Sequence, residues 1–253
     1  MSPARGDAVT WLGHAGASLD LDGTRLVTDP VLRFRVGPLR RHGPAPDPRA
    51  WREPAAVLVS HLHHDHLDLP SLRRIGTGVP VVVPAGAAAL LDGFADVREV
   101  VAGDELRLGT LHVTAVPARH PGDRPGRRLR AAAVGYVIRG RTGSVWFAGD
   151  TGAFPALREL RGAVDLALLP VGGWGPTLGP DHLDPRQAAG VAALVAPRRA
   201  VPIHWGTLLL PGLRTLRPDL ARAPGARFAW WTAQQAVDTE VVVLAPGGST
   251  AMP

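Results

Sequence analysis

Cysteine is absent from the 253 residues, tyrosine occurs once and methionine twice. Without cysteine there is no disulfide, no thiolate ligand and no cysteine nucleophile. Any metal must therefore be held by imidazole and carboxylate. Lysine is absent too, so all 28 basic residues are arginine. Alongside 30 Gly and 25 Pro, this reads as the coding bias of a GC-rich sequence. The formal charge of +6 is then a weak pointer to a polyanionic partner. No uninterrupted apolar run reaches the roughly 18 residues of a membrane-spanning helix, so no span is expected. The opening stretch, Met1 to His14, has no apolar core followed by a small-residue cleavage site. No secretory leader is expected, and the cytoplasm is the default location.

What is present suits an ordinary globular protein: 45% hydrophobic and 20% charged residues, without internal repeats. A single domain over residues 1–253 is expected. Short apolar runs bounded by Gly, Asp and Pro predict strands at 9–12, 17–21, 25–28, 56–60, 80–83, 111–116, 132–138 and 145–147. Buried strands are predicted at 165–171, 200–203 and 240–244, and helices at 69–75, 85–91, 155–161, 185–195 and 213–221. Pro155 and Pro185 sit at first-turn positions, and Asp184 is a candidate N-cap. Two sheets covered by helices are the expected layers. The Pro- and Arg-rich stretch 33–54 lacks periodicity and reads as a long surface loop.

The decisive segment is Ala56-Ala-Val-Leu-Val-Ser60 followed by His61-Leu-His-His-Asp-His-Leu-Asp68. An apolar strand leaves the core and releases His61, His63, Asp65 and His66 within six residues. Histidine is rare and contributes little to packing, so such a cluster points to metal binding. Nitrogen and carboxylate donors suit zinc first, with manganese or iron as alternatives. Further ligands are expected from His120, Asp150 and His204, each at the end of an apolar run.

In residue types and order, these positions resemble the metallo-β-lactamase superfamily. The strings Val9-Thr-Trp-Leu-Gly-His-Ala15, Thr28-Asp-Pro-Val31, Phe147-Ala-Gly-Asp-Thr-Gly152 and Ile203-His-Trp-Gly-Thr207 resemble one branch. It holds N-acylphosphatidylethanolamine-hydrolysing phospholipase D and ascorbate-6-phosphate lactonase. The resemblance implies an α/β, four-layer αββα sandwich. It implies two divalent metal ions: His61, His63 and His120 on the first, Asp65, His66 and His204 on the second, and Asp150 bridging. It implies a hydrolase in which a metal-bridging hydroxide attacks the substrate, with Asp65 and Asp150 available for transient proton transfer. His182, in Gly179-Pro-Asp-His-Leu-Asp-Pro185, matches a histidine placed at the active site in that branch, which suggests a substrate or leaving-group role.

Asp29 and Asp68 are candidates to orient imidazoles, with turn or helix capping as the plainer alternative. His64 is expected to face away from the metals, while His14, His42 and His112 are expected in structural or solvent positions. Arg124, Arg127 and Arg128, near His120, are candidate substrate-binding cations. A second arginine group, Arg33, Arg35, Arg40 and Arg41, lies in the 33–54 stretch. Trp174 and Trp205 are candidates to line an apolar pocket, whereas Trp230 and Trp231 are expected in the core. The expected substrate is an anionic small molecule or a phosphodiester. A lactonase is the alternative, and a nucleic-acid phosphodiesterase the third. Nucleic acid is the least expected, because neither a basic insertion nor interleaved aromatic residues are present.

Overall fold

A computed structural model of the chain describes residues 6–236 and 238–253. The leader reading of the opening stretch therefore falls partly, over residues 1–5, outside the described residues. In chain order the elements begin with β1 (Ala8–Gly13), β2 (Gly16–Leu21), β3 (Thr24–Thr28), β4 (Arg35–Val36) and β5 (Leu39–Arg41). Then come α1 (Pro48–Trp51), β6 (Ala56–Leu58), α2 (Leu69–Ile75), β7 (Val81–Pro84) and β8 (Val97–Val100). The second half carries β9 (Glu105–Leu108), β10 (Leu111–Pro121), β11 (Ala132–Arg139), β12 (Ser144–Phe147), β13 (Leu166–Pro170), α3 (Pro185–Val195) and β14 (Arg199–Ile203). It closes with β15 (Leu208–Leu209), α4 (Leu213–Leu216), α5 (Pro218–Arg222), α6 (Pro224–Gln235), β16 (Glu240–Val241) and β17 (Ser249–Ala251).

Two seven-stranded sheets result, in the orders β17-β1-β2-β3-β6-β7-β8 and β16-β14-β13-β12-β11-β10-β9. In each, one half pairs antiparallel and the other parallel, from β3 to β8 in the first sheet and from β12 to β16 in the second.

The layering follows from strand periodicity. Successive side chains point to opposite faces, so a strand buried on both faces is apolar throughout. Leu26, Ala56 and Leu58 of the first sheet meet Phe147, Leu166, Leu168 and Ile203 of the second in the core between the sheets. Their neighbours Val27, Val57 and Val81 face outward onto Trp51 of α1 and Leu72 of α2. On the far side, Trp146, Ala167 and Leu169 pack on Ala188 and Ala192 of α3 and Phe228 of α6. The order helix, sheet, sheet, helix is the expected αββα sandwich. Each such Val or Leu contributes about 1.5–3 kcal/mol relative to an exposed one.

Helix starts also follow the sequence. Asp184 caps α3, accepting from the Arg186 and Gln187 backbone, while the Gln187 side chain accepts from Asp184 N. Asp68 caps α2 by accepting from Ser71 N.

Several expectations need correction. The helix expected over 85–91 is a single 3-10 turn, Ala88–Leu90, and that over 155–161 is the 3-10 turn Pro155–Leu160. The helix over 213–221 divides into α4 and α5, because Pro218 forces Arg217 out of the helical region, to φ −134° and ψ 67°. The supposed loop 33–54 holds the hairpin β4–β5, which pairs with β15. Its Arg41 is buried, donating to the carbonyls of Leu12, Val31 and Arg33, and burial lowers its pKa to about 10. Helix α6 was not foreseen, since Pro224-Gly225 at its start carries a turn signature. It leaves Trp230 57% exposed, correcting its expected place in the core.

Candidate metal centre

His61, Asp150 and His204 all lie just beyond carboxyl ends of parallel strands: β6, β12 and β14 respectively. Such strand ends, where the backbone leaves the ladder, are the usual place for ligand sites in sheets of this kind. Gly149 sits at φ +61°, and a Cβ there would come within 2.6 Å of Ser60 Cβ. That close approach packs the turn carrying Asp150 directly against the start of the histidine loop. His204 takes a left-handed φ of 62°, and its N–H donates to the carbonyl of His14 at 2.7 Å. His120, near the end of the long strand β10, is tied to the Asp150 turn through its neighbour Arg119. Arg119 N donates to Thr151 Oγ1 at 3.0 Å, and Gly152 N to Arg119 O at 2.8 Å.

For His61, His66, His120 and His204 the Nδ1 hydrogen is directed outward. His66 Nδ1 donates to Asp29 Oδ2 at 2.6 Å, His120 Nδ1 to the Asp181 carbonyl at 3.0 Å, and His204 Nδ1 to the Gly172 carbonyl at 3.0 Å. His61 Nδ1 donates to Ser60 Oγ at 2.9 Å, and that hydroxyl donates to Asp29 Oδ2 at 2.5 Å. Each ring then presents a bare Nε2 to the interior. His66 Nε2 and His204 Nε2 lie 3.1 Å apart, and His120 Nε2 lies 3.2 Å from His63 Nδ1. Facing lone pairs at that distance repel unless a proton or a metal ion stands between them. Asp150 Oδ2 is 3.3 Å from His66 Nε2, 3.4 Å from His204 Nε2 and 3.5 Å from His182 Nε2. Asp65 Oδ2 is 3.7 Å from His204 Nε2 and 3.9 Å from His66 Nε2. Donors held at about 2.1 Å around one tetrahedral ion stand about 3.4 Å apart, so these separations fit. The buried His61 Nε2 and Asp150 Oδ1 have no hydrogen-bond partner. Among the groups of side chains that could hold an ion are His61, His63 and His120, and His14, Asp65, His66 and His204; Asp29 with His61 and His66 forms a third. Asp150 groups with His120 and His182, and its Oδ2 also lies within 3.4 Å of His66 and His204, so it adjoins both of the first two groups.

The electrostatics agree with this division. Burial lowers His63 to about 4, and burial together with the His66 charge holds His61 well below its ordinary value. These rings are neutral at pH 7, as ligands must be. Burial opposes charge on His66 as well, but Asp150, Asp29 and Asp65 around it raise its pKa well above the ordinary value. Burial likewise opposes charge on Asp65 and Asp150. The imidazoles of His66 and His204 prevail and hold both carboxyls well below the usual carboxylate range. The second set thus demands positive charge in its midst, which a divalent ion would supply.

Of the other expectations, Asp29 orients His66 directly and His61 through Ser60, whereas Asp68 caps α2 and pairs with Arg33. His64 is exposed, with Nε2 3.3 Å from the Pro125 carbonyl, and His112 is exposed on β10. His182 is half-buried beside Asp150. Trp205 stacks on Trp11 at 5.5 Å, which makes it a packing residue. Arg124 does not face the site: it is buried and donates to the carbonyls of Leu62 at 2.9 Å and Leu67 at 2.8 Å. The expectation that it binds substrate is corrected, since it fastens the histidine loop from behind. Arg127 and Arg128 are exposed around a separate hollow with Asp123 and Arg130.

Sequence reasoning missed His14. Its ring is fully buried, its Nε2 donates to Asp65 Oδ2 at 2.8 Å, and its centroid lies 4.1 Å from that of His204. The signal was present in the string Trp-Leu-Gly-His, but no spacing rule links it to a loop 47 residues downstream (14 to 61).

Two hollows open onto the centre. One, of about 170 Å³, is lined by Asp65, Asp150, Trp174, Leu178 and His182. The other, of about 440 Å³, runs from His63 and Asp65 past Trp174 to Val36, Pro38 and Leu39. Trp174, 41% exposed, stands between them.

With this geometry in place, similarity to known proteins can be set beside it. Residues 24–205 match the family model described as a beta-lactamase superfamily domain. An uncharacterized protein of Mycobacterium tuberculosis is 34% identical over 81% of this chain and 61% of its own. The chain thus spans less than two thirds of that relative. A UPF0173 metal-dependent hydrolase of Methanopyrus kandleri is 32% identical over 95% of this chain and 98% of its own. The N-acyl-phosphatidylethanolamine-hydrolyzing phospholipase D 1 of Caenorhabditis elegans is 32% identical over 78% and 63%. In fold, a metallo hydrolase from Ignicoccus hospitalis superposes with a TM-score of 0.72 at 22% identity, covering 97% of this chain and 98% of that one.

Proposed function

The chain belongs to the metallo-β-lactamase superfamily, and from that premise we propose that residues 1–253 act as one metal-dependent hydrolase domain. The proposed centre holds two divalent ions, zinc first, with manganese or iron as alternatives. His61, His63 and His120 would hold one ion, Asp65, His66 and His204 the other, and Asp150 would contribute to both. One observation carries this reading: with their Nδ1 hydrogens engaged outward, His66 and His204 bring their Nε2 atoms to 3.1 Å of each other, and His120 brings its Nε2 to 3.2 Å of His63 Nδ1. Bound there, the ions would lower the pKa of a shared water and polarise a substrate oxygen, so no side-chain nucleophile is required. Asp65 and Asp150 offset the cationic charge. His182, with Nε2 3.5 Å from Asp150 and facing the smaller hollow, is placed to hold or pass a proton to a leaving group.

The proposed substrate is an anionic small molecule or phosphodiester with phospholipase-D-like cleavage. The likeness to the nematode phospholipase D supports this. The wider hollow, with Val36, Pro38 and Leu39 along its wall, supports a substrate bearing an apolar substituent. The second reading is hydrolysis of a lactone on a small anionic substrate, whose cyclic ester carbonyl the same centre would attack. No described helix is long and apolar enough to cross a membrane.

The test is a substrate panel for the purified protein reconstituted with Zn²⁺, Mn²⁺ or Fe²⁺. Alkyl phosphodiesters, lactones and single-stranded RNA are compared with and without chelator. Chelator-sensitive turnover of phosphodiesters above lactones and RNA is expected. Turnover that survives chelation would overturn the metal reading, and preference for lactones would replace the first substrate class by the second.

A further inference from the structure

His14 is a seventh imidazole at the centre, and we infer that it positions the Asp65 carboxylate and thereby sets the affinity of the second ion. The inference rests on the two-ion reading above.

The geometry around His14 is costly in isolation. Its backbone adopts φ +55° in the turn between β1 and β2, a left-handed conformation unfavourable for a residue with a side chain. Such conformations persist where the surroundings over-determine them. Here the His14 carbonyl accepts from both Trp11 Nε1 and His204 N, each at 2.7 Å. The same residue therefore anchors the backbone of the ligand His204 and, through its ring, the ligand Asp65. Arg41 reinforces the turn by donating to the carbonyl of Leu12.

The ring has one productive contact. Nε2 lies 2.8 Å from Asp65 Oδ2, and Nδ1 is buried without a partner. A carboxylate only accepts, so the hydrogen belongs on Nε2 and the unpartnered Nδ1 is bare. At 2.8 Å this is the shortest contact made by the Asp65 carboxylate, whose next nearest, to His204 and His66, are 3.7 and 3.9 Å. Without it, a short side chain on a loop would be free to rotate away from His66 and His204. Residues that hold a ligand in this way commonly govern metal affinity by 10- to 100-fold. His14 acts through Asp65, so its loss should weaken the second ion and spare the first, whose side chains His61, His63 and His120 it does not contact.

The experiment is competitive zinc titration of the full chain with stoichiometry by elemental analysis, comparing wild type, His14→Ala and His14→Gln. Glutamine places a donor at the reach of Nε2. Thermal unfolding of each metal-free variant is measured in parallel. The expected result is wild type binding two ions and His14→Ala weakening one binding step by about 10- to 100-fold while leaving the other unchanged. His14→Gln should regain most of that loss. Equal weakening of both steps, or no rescue by glutamine despite an unfolding temperature equal to wild type, would overturn the positioning role. Complete loss of one ion in both His14→Ala and His14→Gln would mark His14 as a ligand itself and overturn it also. A wild type that binds no ion would remove the two-ion reading, a failure distinguishable from unaltered two-ion binding in His14→Ala.

Discussion

The two halves of the centre are built from the same residue types in different surroundings. The half formed by His61, His63 and His120 contains imidazoles alone, and His63 and His120 are only partly buried. The half formed by Asp65, His66 and His204 is buried throughout, with Asp29 behind His66 and His14 behind Asp65. Neutral rings near solvent tolerate an empty or filled site with little penalty. Buried carboxylates do not, because an unpaired charge in a low-dielectric interior is expensive. The protein thus has a half made of neutral imidazoles and a charge-compensated half embedded in the fold, joined by Asp150, with His63 of the one and Asp65 of the other lining the hollows.

The comparison can be broken most severely at its junction. Asp150→Ala removes the carboxylate that lies within 3.5 Å of His66, His204 and His182. Turnover is expected to fall on the order of 10³-fold, the scale of losing a group central to the chemistry. Steady-state kinetics with elemental analysis checks this, and a variant keeping both ions and normal turnover would contradict the bridging role. The next test separates the halves. His66→Ala leaves buried Asp29 without its imidazole partner and is expected to destabilise the metal-free protein by about 3–5 kcal/mol. His63→Ala, at a partly exposed site, is expected to cost about 1 kcal/mol or less. Urea unfolding of the two variants measures the difference, and equal losses would erase the distinction between halves. The smallest effect is expected outside both. Arg127→Ala with Arg128→Ala should change KM for a phosphodiester by no more than about twofold, since exposed charges away from the cavity are screened by salt. A tenfold rise in KM would restore them as substrate-binding cations.

Legibility in the sequence followed the locality of the physics. The alternation that buries Leu26, Val27, Val145 and Trp146 on opposite faces is written in consecutive residues, and with the order of strands and helices it pointed to two sheets covered by helices; the four-layer αββα arrangement came with the family resemblance. The α2 and α3 boundaries matched because Asp68, Asp184, Pro185 and Gly76 are local signals. The histidine loop was equally visible, and so was the orienting role of Asp29. What escaped depends on side-chain direction after folding. Arg124 sits close to His120 in sequence yet turns its guanidinium toward Leu62 and Leu67. His14 has no neighbour in sequence that explains it, and joins the centre only because β1 and β2 meet at a strained turn beside His204. The hairpin β4–β5 was hidden because its partner β15 lies far along the chain.

The central claim is that distant parts of one chain gather imidazoles and carboxylates around two cations. Anomalous diffraction at the zinc edge, from crystals of the protein loaded with two equivalents of zinc, tests it most directly. Two peaks are expected, one among His61, His63 and His120 and the other among Asp65, His66 and His204, with Asp150 between them. A single peak, or zinc bound only at surface histidines such as His112, would contradict it.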